Sequence, residues 1–435
     1  MEKRDARRPR IAVVGSGVAG LTAAWELSKW ARVLLLEADH RLGGHADTHL
    51  VTDRDGRQLA VDTGFIVHNR RTYPTLLRLF AELGIATQES DMSMSVRCAG
   101  CGVEYAGARG LRGLLARPTS LVRGRYLRML TEVPRFHRQA RRLLASELLG
   151  PGPTLAEFLD EGGFSTYFRQ HFAAPLVAAV WSTPAQLTGR YPARYLFAFL
   201  AHHGMLSITG SPQWWTVTGG SHAYVDRIAA VVDEIRLDSP VCSVRRSTAG
   251  VRLRDVHNSE YEVDGAVIAT HPHQALAMLD APTAAHRDIL GAISYTSKDA
   301  VLHTDPRHLP RAPGARASWN YEMSRCEQGA EGVRVTYDMN RLQRLDSRDT
   351  WLVSLGGSAD ISADRIVARR SYEHPCYTPE SVAAIARLDE LDDDALVFAG
   401  AYAGWGFHED GARSGRRAAE RLRDLFAAVP VEGAA

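Results

Sequence analysis

Lysine is almost missing from this chain. Of 52 basic residues among 435, only Lys3, Lys29 and Lys298 are lysines, so arginine carries nearly all the positive charge. Cysteine is sparse too. Cys98, Cys101, Cys242, Cys326 and Cys376 form an odd, scattered set, which excludes a secreted disulfide framework. No run of 18 apolar residues is present, which excludes a membrane-spanning helix. Residues 1–10, MEKRDARRPR, are charged throughout and carry no apolar leader, so the expected address is cytoplasmic. A net charge of +2 excludes nucleic-acid binding driven by bulk charge. There is no internal repeat and no low-complexity tract.

What is present is an ordinary globular composition, 45% hydrophobic and 23% charged. A single core stops growing at roughly 250–300 residues, so two domains are expected. Residues 10–16, RIAVVGS, read as a buried parallel strand. GVAGLTAAWELSKWA reads as a helix, with Ala19, Ala23 and Ala24 allowing close approach to a sheet, and RVLLLE as the next strand. This is a βαβ unit. Helical patterns dominate 71–210, interrupted by a strand hairpin near Met92–Tyr105. Residues 233–270 read as a β-meander, 291–375 as mixed strands, and the tail as a strand, a glycine-rich loop and a final helix. The expected fold is α/β. A discontinuous Rossmann-like dinucleotide domain (1–70, 211–290, 385–435) holds an inserted mixed α+β substrate domain (71–210, 291–384).

The sharpest motif is Gly15-Ser16-Gly17-Val18-Ala19-Gly20. Gly15 permits the tight turn, Gly17 admits a pyrophosphate against the backbone, and Gly20 allows close helix–strand packing. The helix N-terminus adds positive potential. Glu37, closing the next strand, is placed to accept ribose hydroxyls. The fingerprint occurs once, so a separate NAD(P)H domain is not expected.

Glu37-Ala38-Asp39-His40-Arg41-Leu42-Gly43-Gly44 follows, with His45 after it. Together these motifs resemble flavoenzymes of the amine oxidase and phytoene desaturase kind. The resemblance implies FAD. It also implies a flavin contact at Asp62-Thr63-Gly64-Phe65-Ile66, with Gly64 near the ring and Asp62 either a contact or a turn carboxylate. Phe398-Ala399-Gly400-Ala401-Tyr402 resembles the family's closing F-A-G-D, with Ala401 where many members have an acid. The loop Gly404-Trp405-Gly406-Phe407-His408 then opens a helix whose N-terminus would face the flavin. Val241 falls where the family contacts adenine. Further stretches, among them GGHADTH, LVAAVWSTP, PQWWTVTGGSHAYV and AGAYAGWGFHEDGARSG, resemble a bacterial subgroup often encoded beside cyclopropane-fatty-acid synthases.

That subgroup implies a desaturase or oxidase taking hydride from an acyl chain or related apolar molecule. An amine oxidase, a redox-neutral double-bond isomerase and a non-catalytic flavin partner of a lipid methyltransferase stand as alternatives. Lys298 falls where many amine oxidases place a lysine; the alternative is a solvent-facing strand residue. Trp181, Trp214, Trp215, Trp319, Tyr321, Tyr337 and Tyr402 are candidate cavity aromatics, and Trp215 and Tyr402, inside family motifs, are the catalytic candidates with Lys298.

No metal is expected. His45, His271, His273 and His408 show no compact spacing with carboxylates, and Cys98-Ala99-Gly100-Cys101 lacks a second pair, so it reads as a turn with two incidental thiols. His45 would be the site of covalent flavin attachment, were there one. Arg109 to Arg142 holds ten arginines against one acid, Glu132, with leucines between. This is either a solvated helix face or a contact for an anionic lipid surface or acidic carrier protein.

Overall fold

A computed structural model describes residues 8–147, 152–181, 185–207, 210–248, 250–327 and 334–428. The end of the LVAAVWSTP motif, residues 182–184, lies outside them. The opening βαβ unit is Arg10–Val14, Val18–Ser28 and Arg32–Leu36. These strands join a five-stranded parallel sheet in the order 234–236, 32–36, 10–14, 265–268, 396–398. Strands from both ends and the middle of the chain thus share one layer. Its central strands are buried on both faces, which explains their unbroken apolar runs. The helix Val18–Ser28 lies against the last helix, His408–Ala428. Their approach is close because a Cβ at Gly415 would stand 2.0 Å from the Ala19 carbonyl oxygen.

A second, seven-stranded mixed sheet runs 366–375, 295–303, 352–355, 335–338, 319–323, 94–98, 104–106. The hairpin expected near Met92–Tyr105 supplies its last two strands, the first of which pairs parallel to Trp319–Met323. The expected meander is the antiparallel sheet 241–247, 250–255 and 260–263. The helical stretch from Arg109 breaks into Gly110–Leu114, a 3-10 turn at Pro118–Val122, and Gly124–Ala145, with Gly110, Pro118 and Gly124 at the breaks. Within the helical region 71–210, a π-helical turn at Arg169–Ala173 leads into the helix Ala174–Trp181. Among the described residues no helix is long and apolar enough to cross a membrane.

Candidate functional site

The fingerprint turns where the first strand meets its helix. Gly15 has φ +95°, and its N–H donates to the Leu36 carbonyl at 2.8 Å. A Cβ on Gly20 would stand 1.9 Å from the Gly15 carbonyl oxygen, so Gly20 serves packing rather than binding. Gly17 is different. A Cβ there meets no protein atom within 4 Å, and its backbone, φ −62° and ψ 174°, suits any residue. Packing therefore does not require glycine at this position; open space lies where a phosphate would approach. Gly43 (φ +110°) and Gly44 (φ +57°) bring the second glycine pair against this turn. A Cβ on Gly44 would be 3.1 Å from the Gly17 Cα, and the Gly43 N–H donates to Ser16 Oγ at 3.1 Å.

Glu37 faces the same turn. Its carboxylate accepts from Ser16 N at 2.7 Å, Ser16 Oγ at 2.5 Å and Asp39 N at 2.9 Å. Arg41 donates to the Gly44 carbonyl at 2.8 Å, and its Nε lies 3.4 Å from Asp39 and 3.6 Å from Asp47. Asp47, which sequence reasoning passed over, ties this corner to the large sheet. It accepts from Arg370 Nε at 2.7 Å and the Tyr372 hydroxyl at 3.0 Å, and pairs with His49 at 3.2 Å. Burial works against its charge, but bonds from His49 and Arg370 hold its carboxyl well below the usual range. Only its place in GGHADTH could have flagged it, because both sheet partners lie more than 300 residues away.

A cavity of about 930 Å³ opens from this cradle. Of the expected cofactor residues, Gly15, Ser16, Gly17, Val18, Ala19, Glu37, Ala38, Arg41, Gly44, His45, Gly64, Phe65, Ile66, Val241, Gly400, Gly406, Phe407 and His408 line it. Gly20 and Gly43 shape the turns behind the lining. Gly64 is needed because a Cβ would stand 2.1 Å from the His45 carbonyl oxygen. Phe65 stacks on His408 at 3.6 Å, joining the 62–66 loop to the start of the last helix. The loop 400–406 is held by aromatic donors. Tyr195 and Tyr377 donate to the Gly404 carbonyl at 2.7 and 2.8 Å, and Trp181 Nε1 donates to the Trp405 carbonyl at 3.0 Å.

Four further expected residues lie outside the lining. Trp215 lies outside the lining, stacked under the Arg70 guanidinium at 4.0 Å, and its neighbour Trp214 faces the cavity instead. Strand alternation sends the two rings to opposite faces. Lys298 is also outside the lining. It sits opposite Tyr372, which does line the cavity, and after burial and His271 its charge helps lower the pKa of His374 in the same wall. Trp405 packs against Tyr195 and Phe199 behind the wall. Tyr321, too, is outside the lining, whereas Trp181, Trp319, Tyr337 and Tyr402 are in it.

The expectation that the histidines meet no carboxylate is also corrected. The His271 Nδ1–Glu373 Oε2 distance is 2.7 Å, and His273 Nε2 lies 3.7 Å from the same oxygen. Glu373 is about a hundred residues away, so no spacing rule reveals the group. His45 stacks on Tyr372 at 4.7 Å and meets His374 edge-on at 5.5 Å. Burial, then the His374, His271 and His408 imidazoles, push His45 well below 6.5. Burial takes His374 to about 4 and His408 to about 3. At neutral pH these rings are uncharged.

The residues present fit a flavin dinucleotide. Gly17 leaves open space at a helix N-terminus, Glu37 and Val241 line the cavity that opens from it, and the buried, unpartnered Tyr402 hydroxyl and Trp319 Nε1 point to groups the protein does not supply. Tyr402→Phe is accordingly expected to leave the apoprotein melting temperature unchanged or higher. It should weaken FAD binding by about 1 kcal/mol, roughly five- to tenfold, in a fluorescence titration. Unchanged affinity would remove the hydroxyl from the cofactor's contacts.

A fold and cradle of this kind define a dinucleotide-binding flavoprotein. Residues 18–347 match the family described as flavin containing amine oxidoreductase. The chain belongs to that family and is an FAD-dependent oxidoreductase. A curated relative, coproporphyrinogen III oxidase of Propionibacterium freudenreichii subsp. freudenreichii, is 38% identical over 86 residues; the match spans 19% of this chain and 15% of that protein. Among solved structures, putrescine oxidase bound to putrescine aligns with TM-score 0.68 at 16% identity, over 97% of this chain and 99% of that one. Cyclohexylamine oxidase from Brevibacterium oxydans IH-35A aligns with TM-score 0.68 at 17% identity, over 97% and 100%. A CLA-producing fatty acid isomerase from P. acnes aligns with TM-score 0.66 at 15% identity, over 97% and 100%. At such identities the likeness is one of fold.

Proposed function

We propose that this enzyme removes hydride from an acyl chain or a similarly apolar, uncharged molecule, as a desaturase or oxidase. The observation carrying this reading is the chemistry of the cavity away from the glycine cradle. Met92, Val180, Trp181, Phe199, Met205 and Trp214 supply it. The carboxylates in the lining are Glu37, Asp39 and Glu373. Glu37 is taken up by the fingerprint turn, Asp39 neighbours it, and Glu373 is engaged by His271. None is left among the apolar residues to pair with a substrate ammonium, whose burial without a partner is costly. Aromatic and thioether side chains instead fit a hydrocarbon.

Bound FAD supplies the electron sink. The protein's part is to exclude water, orient the chain against Trp181, Phe199 and Trp214, and keep neutral imidazoles nearby. Anaerobic mixing with fatty acids, acyl phospholipids and primary amines, followed by flavin absorbance, tests the reading. Bleaching by acyl substrates is expected. Bleaching by amines alone would overturn it, and an acyl product of unchanged mass would replace it with isomerisation, a chemistry the fatty acid isomerase shares by name.

The proposal extends to a peripheral lipid contact. Leu111, Leu121 and Val122 are 75%, 58% and 84% exposed in the arginine-rich stretch. Apolar tips among arginines suit an anionic bilayer surface. The protein is expected to sediment with phosphatidylglycerol vesicles at low salt and less at high salt, and Val122→Asp should weaken this severalfold. Equal binding to neutral phosphatidylcholine vesicles, or no effect of Val122→Asp, would contradict it.

A further inference from the structure

We propose that Cys98, Cys101, His171 and Cys326 bind a zinc ion in a closed tetrahedral site that fastens the helical layer to the far end of the seven-stranded sheet. The site is separate from the flavin cavity, shares no lining residue with it, and does not depend on the reading of substrate given above.

The four donor atoms all lie within 4.8 Å of one another. Cys98 Sγ and Cys326 Sγ are 3.8 Å apart, and Cys101 Sγ and His171 Nε2 are 3.6 Å apart. A tetrahedral zinc with Zn–S about 2.3 Å and Zn–N about 2.0–2.1 Å requires S···S of about 3.8 Å and S···N of about 3.6 Å. Both separations agree with a single central ion. All five cysteines are free thiols, so no disulfide explains the cluster.

Local structure holds each donor in place. Cys98 ends the strand Met94–Cys98, and its C-x-x-C forms the hairpin turn: Cys98 N–H donates to the Val103 carbonyl and Gly102 N–H to the Cys98 carbonyl. Gly102 has φ +69°, as the turn demands. Gly100 lies between the two cysteines, and a Cβ there would stand 2.9 Å from the Arg325 Cα and 3.0 Å from the Cys326 N. The turn is thus pressed onto the segment bearing the third thiol. Cys326 follows the strand Trp319–Met323, whose last residue pairs with Cys98.

His171 comes from the opposite layer, inside the π-helical turn Arg169–Ala173. Such turns often mark functional positions. Its Nδ1 lies 3.1 Å from the Tyr167 carbonyl, which fixes Nδ1 as the donor and leaves the Nε2 lone pair toward the thiols. A ligating histidine characteristically has this outer partner. The ring also stacks on Tyr167 at 3.9 Å, and the Tyr105 hydroxyl donates to the His171 carbonyl at 2.7 Å. His171 is fully buried and Cys98 nearly so. Four protein donors leave no open position, so the site is structural rather than catalytic.

Its reach to the cavity is mechanical. Trp319, at the near end of one clamped strand, lines the flavin cavity about 13 Å from Met323 by strand rise. The helix leading on from His171 carries Val180 and Trp181 into the same lining. Zinc would fix how far these two walls stand apart.

The test is metal analysis of the whole protein, made without a metal-binding tag and kept reduced. One zinc per chain is expected, surviving dialysis against EDTA and released by a thiol-modifying mercurial. Cys101→Ser and His171→Ala should lose it, and Cys242→Ser should keep it. Cobalt(II) reconstitution of the wild type should show a thiolate-to-cobalt charge-transfer band, a readout that needs no variant to fold. Wild-type protein with reduced thiols that takes up neither zinc nor cobalt would overturn the proposal. So would zinc retained in Cys101→Ser, or a native mass two hydrogens low with a disulfide mapped among the three cysteines.

Discussion

Gly17→Asp is expected to yield a folded but colourless protein. The backbone at Gly17 is one any residue adopts, and a Cβ there meets no protein atom within 4 Å. Gly17 is also the N-cap of the helix Val18–Ser28, where aspartate is preferred to glycine. The helix is therefore kept or slightly strengthened. The cofactor is not. A carboxylate about 4 Å from a pyrophosphate charge costs about 4 kcal/mol at an effective dielectric near 20, about a thousandfold in affinity, before steric exclusion is counted. Flavin absorbance per chain should fall to background while the circular dichroism and apoprotein melting temperature stay at wild-type values. Gly20→Ala should do the reverse damage. Its methyl would overlap the Gly15 carbonyl, so the fold itself suffers first. Wild-type flavin content in Gly17→Asp would sink the assignment of this turn to the pyrophosphate.

Asp62→Ala is expected to cost about 3–5 kcal/mol, because it strands several buried donors at about 1–3 kcal/mol each. Asp62 is 1% exposed. It accepts from Thr48 Oγ1 at 2.5 Å, Ser221 N at 2.9 Å, Ser221 Oγ at 2.8 Å and Gln343 Nε2 at 2.9 Å. These partners come from the hairpin 48–62, the start of the helix His222–Ala229 and the end of the turn 339–342 in the other layer. Burial pushes the carboxyl up to about 6 against the bonds from Thr48 and Ser221. Alanine would leave several donors dry. A fall in melting temperature on the order of 5–10 °C is expected by calorimetry. A shift within a degree of wild type, with flavin lost instead, would make Asp62 a cofactor contact.

These two positions show where the sequence is legible. The strand–turn–helix at the glycine fingerprint is legible because its meaning is local: the three elements are contiguous, and each glycine answers to φ, packing or space within a few residues. Asp62 left a turn and a contact equally open in the sequence, because Ser221 and Gln343 lie 159 and 281 residues away. The Cys98/Cys101 pair and the His271/Glu373 group fail the spacing test for the same reason, since topology rather than sequence separation joins them. Trp215 shows a different limit. A Trp-Trp pair in a strand gives no phase, so which ring faces inward is set by pairing with 67–69 and 87–90. Lys298 is not in the cavity lining, but it adjoins the lining residues Tyr372 and His374, a neighbourhood set by pairing with a strand more than 70 residues away.

The most direct measurement is the absorbance spectrum of the purified protein before and after heat denaturation. A flavin spectrum in the native protein, passing into the supernatant as free FAD, is the predicted result. Flavin retained in the pellet would mean covalent attachment, with His45 the first residue to replace. A colourless protein that FAD cannot reconstitute would contradict the account at its centre.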